Sequence, residues 1–302
     1  MRTEFADQLL KQALSNPRIM LVVGDLGYGV FDRYKEILPD QYLNTGVTEQ
    51  SSVSFVAGLA KSGYRPFFYS IANFPTFRAL EQIRNDLSHM GLPATIVSVG
   101  AGFAYGTAGY SHHLVEDLSA MSVFDIDIFT PTMPKEISKC IEAVLLSQRP
   151  AYLRLGKGGE INFGLQDKVY DLREDRKLAL DADINVLVNS AIIEEVVKAA
   201  NLLEQKRIKT NIFSCWNYQA IDCECIEYLS KLNNLFVVEE HVTRGGFASF
   251  INEKLPLKAQ KVHSIGLPMI SRQIVGSHSY LRKSYGLDSE SLASMFLRLL
   301  ND

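Results

Sequence analysis

The feature that most constrains this chain is a repeated alternation of short, β-rich apolar runs with helix-period segments. R-I-M-L-V-V (18–23), T-I-V-S-V (95–99), I-D-I-F (126–129) and A-Y-L-R-L (151–155) read as strands buried on both faces. Between them, 76–90 predicts a helix, and so does 135–147, where Ile137, Ile141, Val144 and Leu145 share a face and Pro134 suits the first turn. Glycines and dense charge over 156–182 read as a connector. The alternation then resumes with strands at 184–188, 211–214 and 235–238 and a helix over 191–204 whose Ile193, Val196, Val197, Ala200 and Leu203 face inward. Strand–helix–strand alternation implies parallel sheets with helices on their faces, because a parallel pair needs a crossover connection. The expected fold class is therefore α/β, as two parallel-sheet domains: residues 1–162, a linker at 163–182, and residues 183–302.

Bulk properties narrow the function classes. The 302 residues are 47% hydrophobic and 22% charged, an ordinary globular composition. The net charge of −3 and the scattered basic residues leave no nucleic-acid footprint. No apolar run approaches the roughly 20 residues that span a bilayer, and the amphipathic start, M-R-T-E-F-A-D-Q-L-L, is not a secretory signal. A cytoplasmic protein without membrane contact is expected. Of the four cysteines, Cys223 and Cys225 form C-x-C, but no second pair or flanking histidine completes a metal set, so reduced thiols and no metal are expected.

Several side chains stand out. Glu49, in N-T-G-V-T-E-Q-S, is the single charge in its run and precedes the small apolar stretch S-V-S-F-V-A-G-L-A. It reads either as a helix-start acid favoured by the dipole or as a partly buried acid that shares a proton with a ligand. His112 and His113 follow a glycine-rich loop, and adjacent histidines cannot both face one site. Phe74 and Phe77, three apart in A-N-F-P-T-F-R-A-L, are either core or a platform for a flat heterocycle. Asp25 follows a buried strand, where ligands of open parallel sheets bind, although G-D-L-G-Y-G is not a dinucleotide fingerprint. Arg154 matches no motif.

Taken in order, Y-L-N-T-G-V-T-E-Q, G-Y-R-P-F-F-Y-S-I-A-N-F, G-T-A-G-Y-S-H-H, F-T-P-T-M-P-K-E and R-P-A-Y-L-R-L-G-K resemble the pyrimidine-binding domain of transketolase and of 1-deoxyxylulose-5-phosphate synthase, both thiamine-diphosphate enzymes. V-V-E-E-H-V-T-R-G-G-F-A-S, H-S-I-G-L-P and Y-G-L-D resemble their C-terminal domain, so the likeness covers nearly the whole chain. The resemblance implies that Glu49 meets the ring nitrogen of the cofactor's aminopyrimidine, that Phe74 stacks on that ring with Phe77 beside it, and that Asp25 lies near the thiazolium end. It also implies that His112 bonds donor-sugar hydroxyls and moves protons. Lys157 falls where the family has a phosphate-binding arginine, keeping the charge but losing the bidentate fork.

Two departures shape the expected function. No G-D-G with a downstream asparagine is present, so the domain that grips the diphosphate and its Mg or Ca ion is expected on a separate N-terminal subunit, in an α2β2 assembly. Ala108 replaces an aspartate of the family loop, and V-S-V-G-A-G-F replaces a family histidine. Both touch acceptor recognition and weaken the case for the ordinary pentose-phosphate acceptors. The expected activity is transfer of a two-carbon ketol unit from a ketose to an aldose. The alternatives are a beta subunit of the thiamine-dependent component of a 2-oxo-acid dehydrogenase, suggested by F-P-T-F, and a non-catalytic assembly subunit.

Overall fold

The structure is a computed structural model that describes residues 1–256, 262–269 and 274–300. Its strands are β1 (Ile19–Val23), β2 (Tyr42–Asn44), β3 (Arg65–Ile71), β4 (Thr95–Val99), β5 (Asp127–Phe129), β6 (Ala151–Leu155), β7 (Val169–Asp171), β8 (Ile184–Val188), β9 (Thr210–Ser214), β10 (Leu235–Val242) and β11 (His263–Leu267). They form a six-stranded sheet, β2-β1-β3-β4-β6-β5, and a five-stranded sheet, β11-β10-β8-β9-β7. Every pairing among these strands is parallel, as the alternation requires.

Side chains alternate across the first sheet. Val22, Phe68, Ile96, Ile128 and Tyr152 turn to one face, where the helix Glu49–Lys61 lays down Val53, Val56, Ala57 and Ala60. Leu21, Val23, Phe67, Tyr69, Val97, Leu153 and Leu155 turn to the other face, under the helices Arg2–Ser15 and Ile137–Leu146. Each Val, Leu or Phe so buried contributes about 1.5–3 kcal/mol, which is why the central strands tolerate so few polar residues. The first of these clusters continues into Tyr170, Leu187, Phe213 and Phe247 of the second domain, so the two sheets share packed apolar surface.

Three expectations need correction. The stretch assigned to a linker, 163–182, carries β7, which pairs with β9 at the edge of the second sheet. Its charges concealed the strand, because Asp171 accepts from Trp216 Nε1 at 2.8 Å and from Lys139 Nζ at 3.2 Å rather than facing water. The helix expected over 76–90 begins late. Residues 72–79 are consecutive turns, followed by a short helix Leu80–Gln82 and a π-helix Ile83–Ser88. Ala72 at φ 46° and Pro75, which lacks an N–H, hold the segment out of the regular helix. β2, β3 and β11 also escaped the reading. β2 is three residues long and mostly exposed, β3 contains Pro66, and β11 alternates partner-facing and open residues.

Candidate active site

The carboxyl ends of β1, β3 and β4 and the loops that follow them converge on Glu49. The helix Glu49–Lys61 starts here because the Thr48 hydroxyl, donating to Thr45 O at 2.8 Å, tightens the preceding turn, and Ser52 N–H donates to Thr48 O at 2.8 Å. Glu49 occupies the first turn yet is 2% exposed, so it is more than a solvated helix-start acid. Ser70, at the end of β3, makes a long contact of 3.5 Å from its Oγ to Glu49 Oε1. Gly24, at the end of β1, leaves room for this approach, since a Cβ there would lie 3.0 Å from Ser70 Oγ.

The turns after β3 supply the remaining walls. Ala72 sits in the left-handed region, fixed by its N–H to Val99 O at 2.7 Å and by Ser98 Oγ donating to its carbonyl at 2.6 Å. This bend throws Phe74 and Arg78 back towards Glu49. Arg78 Nη1 donates to Glu49 Oε2 at 2.7 Å, and the same guanidinium lies 4.5 Å from the Phe74 ring centroid. His112 packs edge-on to Phe74, with centroids 5.1 Å apart and planes at 73°. Asn73 Nδ2 ties this wall to the histidine loop by donating to His113 O at 2.7 Å.

Glu49, Phe74 and His112 are therefore brought together. His113 is not part of the group: it is fully buried, packed edge-on to Phe103, with Nε2 3.2 Å from Gly106 O. Asp25 stands at the rim in a left-handed conformation (φ 54°). The Tyr28 hydroxyl at 2.7 Å, then the Asn44 amide at 3.0 Å, hold its carboxyl below the ordinary carboxylate range. Phe77 is 37% exposed on the outer side of the turns. Lys157 is separate, its ammonium 4.6 Å over the Tyr105 ring, and it lines a cleft of about 160 Å³ between the domains with His278, Arg282 and Glu194.

Arg78 was missed although it lay within a stretch singled out for its aromatics. The signal was a cation one turn from an isolated acid's aromatic neighbour. Arg154 was missed as well, and a charge inside an apolar strand was its signal. It is fully buried, with Nε donating to Asp117 Oδ2 at 2.9 Å and Nη2 to Leu114 O at 2.6 Å. Around this pair lies the polar seam between the domains. β10 loses its register with β11 between Val238 and Val242, and this irregularity presents Glu239, Glu240 and His241. His241 Nδ1–H donates to Val242 O at 2.7 Å and its Nε2 accepts from Leu118 N–H at 3.1 Å, the pattern of a neutral ring, and burial pushes its pKa down to about 4. Glu239 accepts from Phe247 N–H at 2.7 Å and Ala248 N–H at 3.1 Å, while burial raises its pKa to about 8. Burial opposes the charge of Glu240 too, but Arg282 and His278, each at 2.7 Å, hold it well below the usual range. Gly102 is required beside it, because a Cβ at φ 64° would come within 2.4 Å of the Glu240 carboxyl carbon.

Among the described residues, no group of three or more His, Cys, Asp or Glu side chains could hold a metal ion, and no helix is long and apolar enough to cross a membrane.

Comparison with known proteins agrees with this geometry. Residues 1–159 match the transketolase pyrimidine-binding domain and residues 176–292 match the transketolase C-terminal domain. One of the two subunits of the apulose-4-phosphate transketolase of Phocaeicola vulgatus is 27% identical over 99% of this chain and 97% of its own length. The 1-deoxy-D-xylulose-5-phosphate synthase of Lawsonia intracellularis is 28% identical over 98% of this chain, which spans 47% of that protein. Among solved structures, a split-gene transketolase in an inactive beta4 tetramer superposes with a TM-score of 0.84, covering 99% of this chain and 98% of its own at 24% identity. With both domains matched in order on the two parallel sheets, the chain belongs to the transketolase family.

Proposed function

We propose that this chain is one subunit of a thiamine-diphosphate-dependent transketolase and moves a two-carbon ketol unit from a ketose to an aldose together with a separate diphosphate-binding subunit. The observation that carries the reading is the buried carboxylate of Glu49 facing an aromatic platform, Phe74, across a gap wide enough for a flat group. The Arg78 guanidinium, planar and with a donor edge, already fits there, so a heterocycle with a protonated ring nitrogen fits the same donor set. When bound, thiamine diphosphate supplies the nucleophilic carbon that takes up and releases the two-carbon unit.

The chain's own residues have distinct parts in this reading. Glu49 holds a proton against the ring nitrogen, and the apolar helix behind it, with Val53 and Val56, keeps water away. Phe74 stacks and Phe77 borders the ring. Asp25, ordered by Tyr28 and Asn44, lies at the far rim. His112, its Nδ1 within 3.0 Å of the Ser111 hydroxyl, presents the other ring nitrogen to a substrate hydroxyl as an acid–base group. Lys157 offers a point charge to a sugar phosphate from the neighbouring cleft.

A second subunit holding the diphosphate and its Mg or Ca ion is supported by the full-length likeness to a relative that is itself named as a transketolase subunit and by the fold shared with a split-gene chain. It is also supported by the exposed apolar residues around the site: Tyr28 (77% exposed), Val47 (68%), Phe55 (44%) and Tyr110 (55%). An α2β2 assembly in the cytoplasm is the form we infer. Co-purification with a candidate diphosphate-binding subunit, followed by donor-dependent transfer to a panel of aldoses, tests the reading. Ketol transfer by the pair but not by either chain alone is expected. Turnover by this chain alone, or activity of the pair on 2-oxo acids only, overturns it.

A further inference from the structure

The most informative contact in the site is one that the family resemblance does not call for. Glu49 is 2% exposed, and a lone buried carboxylate costs several kcal/mol unless it is paired. Its partner, Arg78, is 47% exposed and sits on the turn segment rather than in a helix. The guanidinium does two things at once: it donates to Glu49 Oε2 at 2.7 Å and covers the Phe74 ring at 4.5 Å. Those are the two surfaces that the proposed function assigns to the cofactor's flat ring. Arginine is the one cationic side chain that is both planar and a multiple donor, so it can copy such a ring where lysine cannot.

We propose that Arg78 is an internal stand-in for the aminopyrimidine: it occupies the Glu49–Phe74 seat while the site is empty and swings into solvent before the ring can bind. The proposal rests on the thiamine-diphosphate reading. Its physical content is a competition. The ion pair neutralises Glu49 in the empty chain, and the observed cofactor affinity is the intrinsic affinity reduced by the fraction of molecules in which the seat is open. The exposure of Arg78 and its position on a turn give the side chain a path to water. The buried Glu49 stays in place, so exchange of the partner, not movement of the acid, opens the seat.

Isothermal titration of the full chain assembled with its diphosphate-binding partner tests this. The probes are magnesium thiamine diphosphate and magnesium pyrophosphate, which engages only the far end of the site. Arg78→Ala should bind thiamine diphosphate about tenfold more tightly than wild type, with pyrophosphate affinity unchanged. Arg78→Lys, charged but not planar, should fall between them. Arg78→Gln serves in the same way if the alanine variant fails to assemble. Unchanged or weaker thiamine diphosphate binding in the alanine or glutamine variant overturns the stand-in, as does an equal gain for pyrophosphate. Those failures are distinct from failure of the parent reading, which shows as a wild-type complex that binds no thiamine diphosphate and removes both.

Discussion

Two charged regions of this molecule bury carboxylates in opposite ways. In the seam between the domains, Asp117 is held by Arg154 and by the Tyr152 hydroxyl, while Glu240 is held by Arg282, His278 and the Phe103 amide. Asp117 and Arg154 are completely buried, and the groups that hold Glu240 come from both domains. At the candidate site, Glu49 is just as deep, but its cation is a half-exposed arginine on a turn. A charge surrounded by fixed partners is built to stay as it is. A buried charge whose partner can leave is built to accept a different one. Depth alone does not separate structure from function; the exchangeability of the partner does.

That contrast can be broken by experiment. The largest effect should come from Arg154→Leu, which strands Asp117 and the Leu114 carbonyl in the seam. Unfolding in urea should show a loss of about 3–5 kcal/mol, and a loss below about 1 kcal/mol would mean that the seam relaxes as easily as the site. Glu49→Gln should do the reverse. Its melting curve should stay close to wild type, because the released Arg78 is already near water. Steady-state transfer by the reconstituted pair should drop by about 10²–10³-fold, the scale of a removed electrostatic contact to the reacting system. Near-normal turnover would remove Glu49 from the mechanism.

Glu239 provides a pH test within the seam. Its folded pKa of about 8 exceeds the ordinary value of 4.5, so between these values the native state binds the extra proton and stability falls as pH rises. His241, at about 4 against 6.5, acts in the opposite direction, but only below 6.5. Between pH 6.5 and 8 the Glu239 contribution stands alone and should lower stability by about 1 kcal/mol per pH unit. Denaturant midpoints across that window should fall in the wild type and flatten in Glu239→Gln; equal slopes would place the proton elsewhere. The smallest effect belongs to Lys231→Ala. Its pair with Glu227 is 69% exposed on both sides, so a change within about 0.5 kcal/mol is expected. A larger change would blur the distinction between fixed and exchangeable charges.

Much of the fold was legible because hydrophobic periodicity is local. The runs at β1, β4, β6, β8 and β9 are apolar enough to require burial on both faces, and the crossovers between them require parallel pairing. Strands with a proline, a short length or dense charge were not legible, as β3, β2 and β7 show. Their status depends on a neighbouring strand that the sequence does not display. The turns at 72–79 were hidden for a related reason: a left-handed alanine is held by hydrogen bonds from β4, more than twenty residues away in sequence.

The sequence by itself determined that this chain builds two parallel α/β sheets, and its ordered motifs put Glu49, Phe74 and His112 forward as a group, because residue type and spacing carry that information along the chain. Only the tertiary structure decided which groups meet: that Arg78 closes over Glu49 and Phe74, that Arg154 is sealed in the seam, that His113 turns away from His112, and that Lys157 opens onto a different cleft. Contacts of this kind are made between segments distant in sequence, and their energies depend on burial and distance, neither of which exists until the chain has folded.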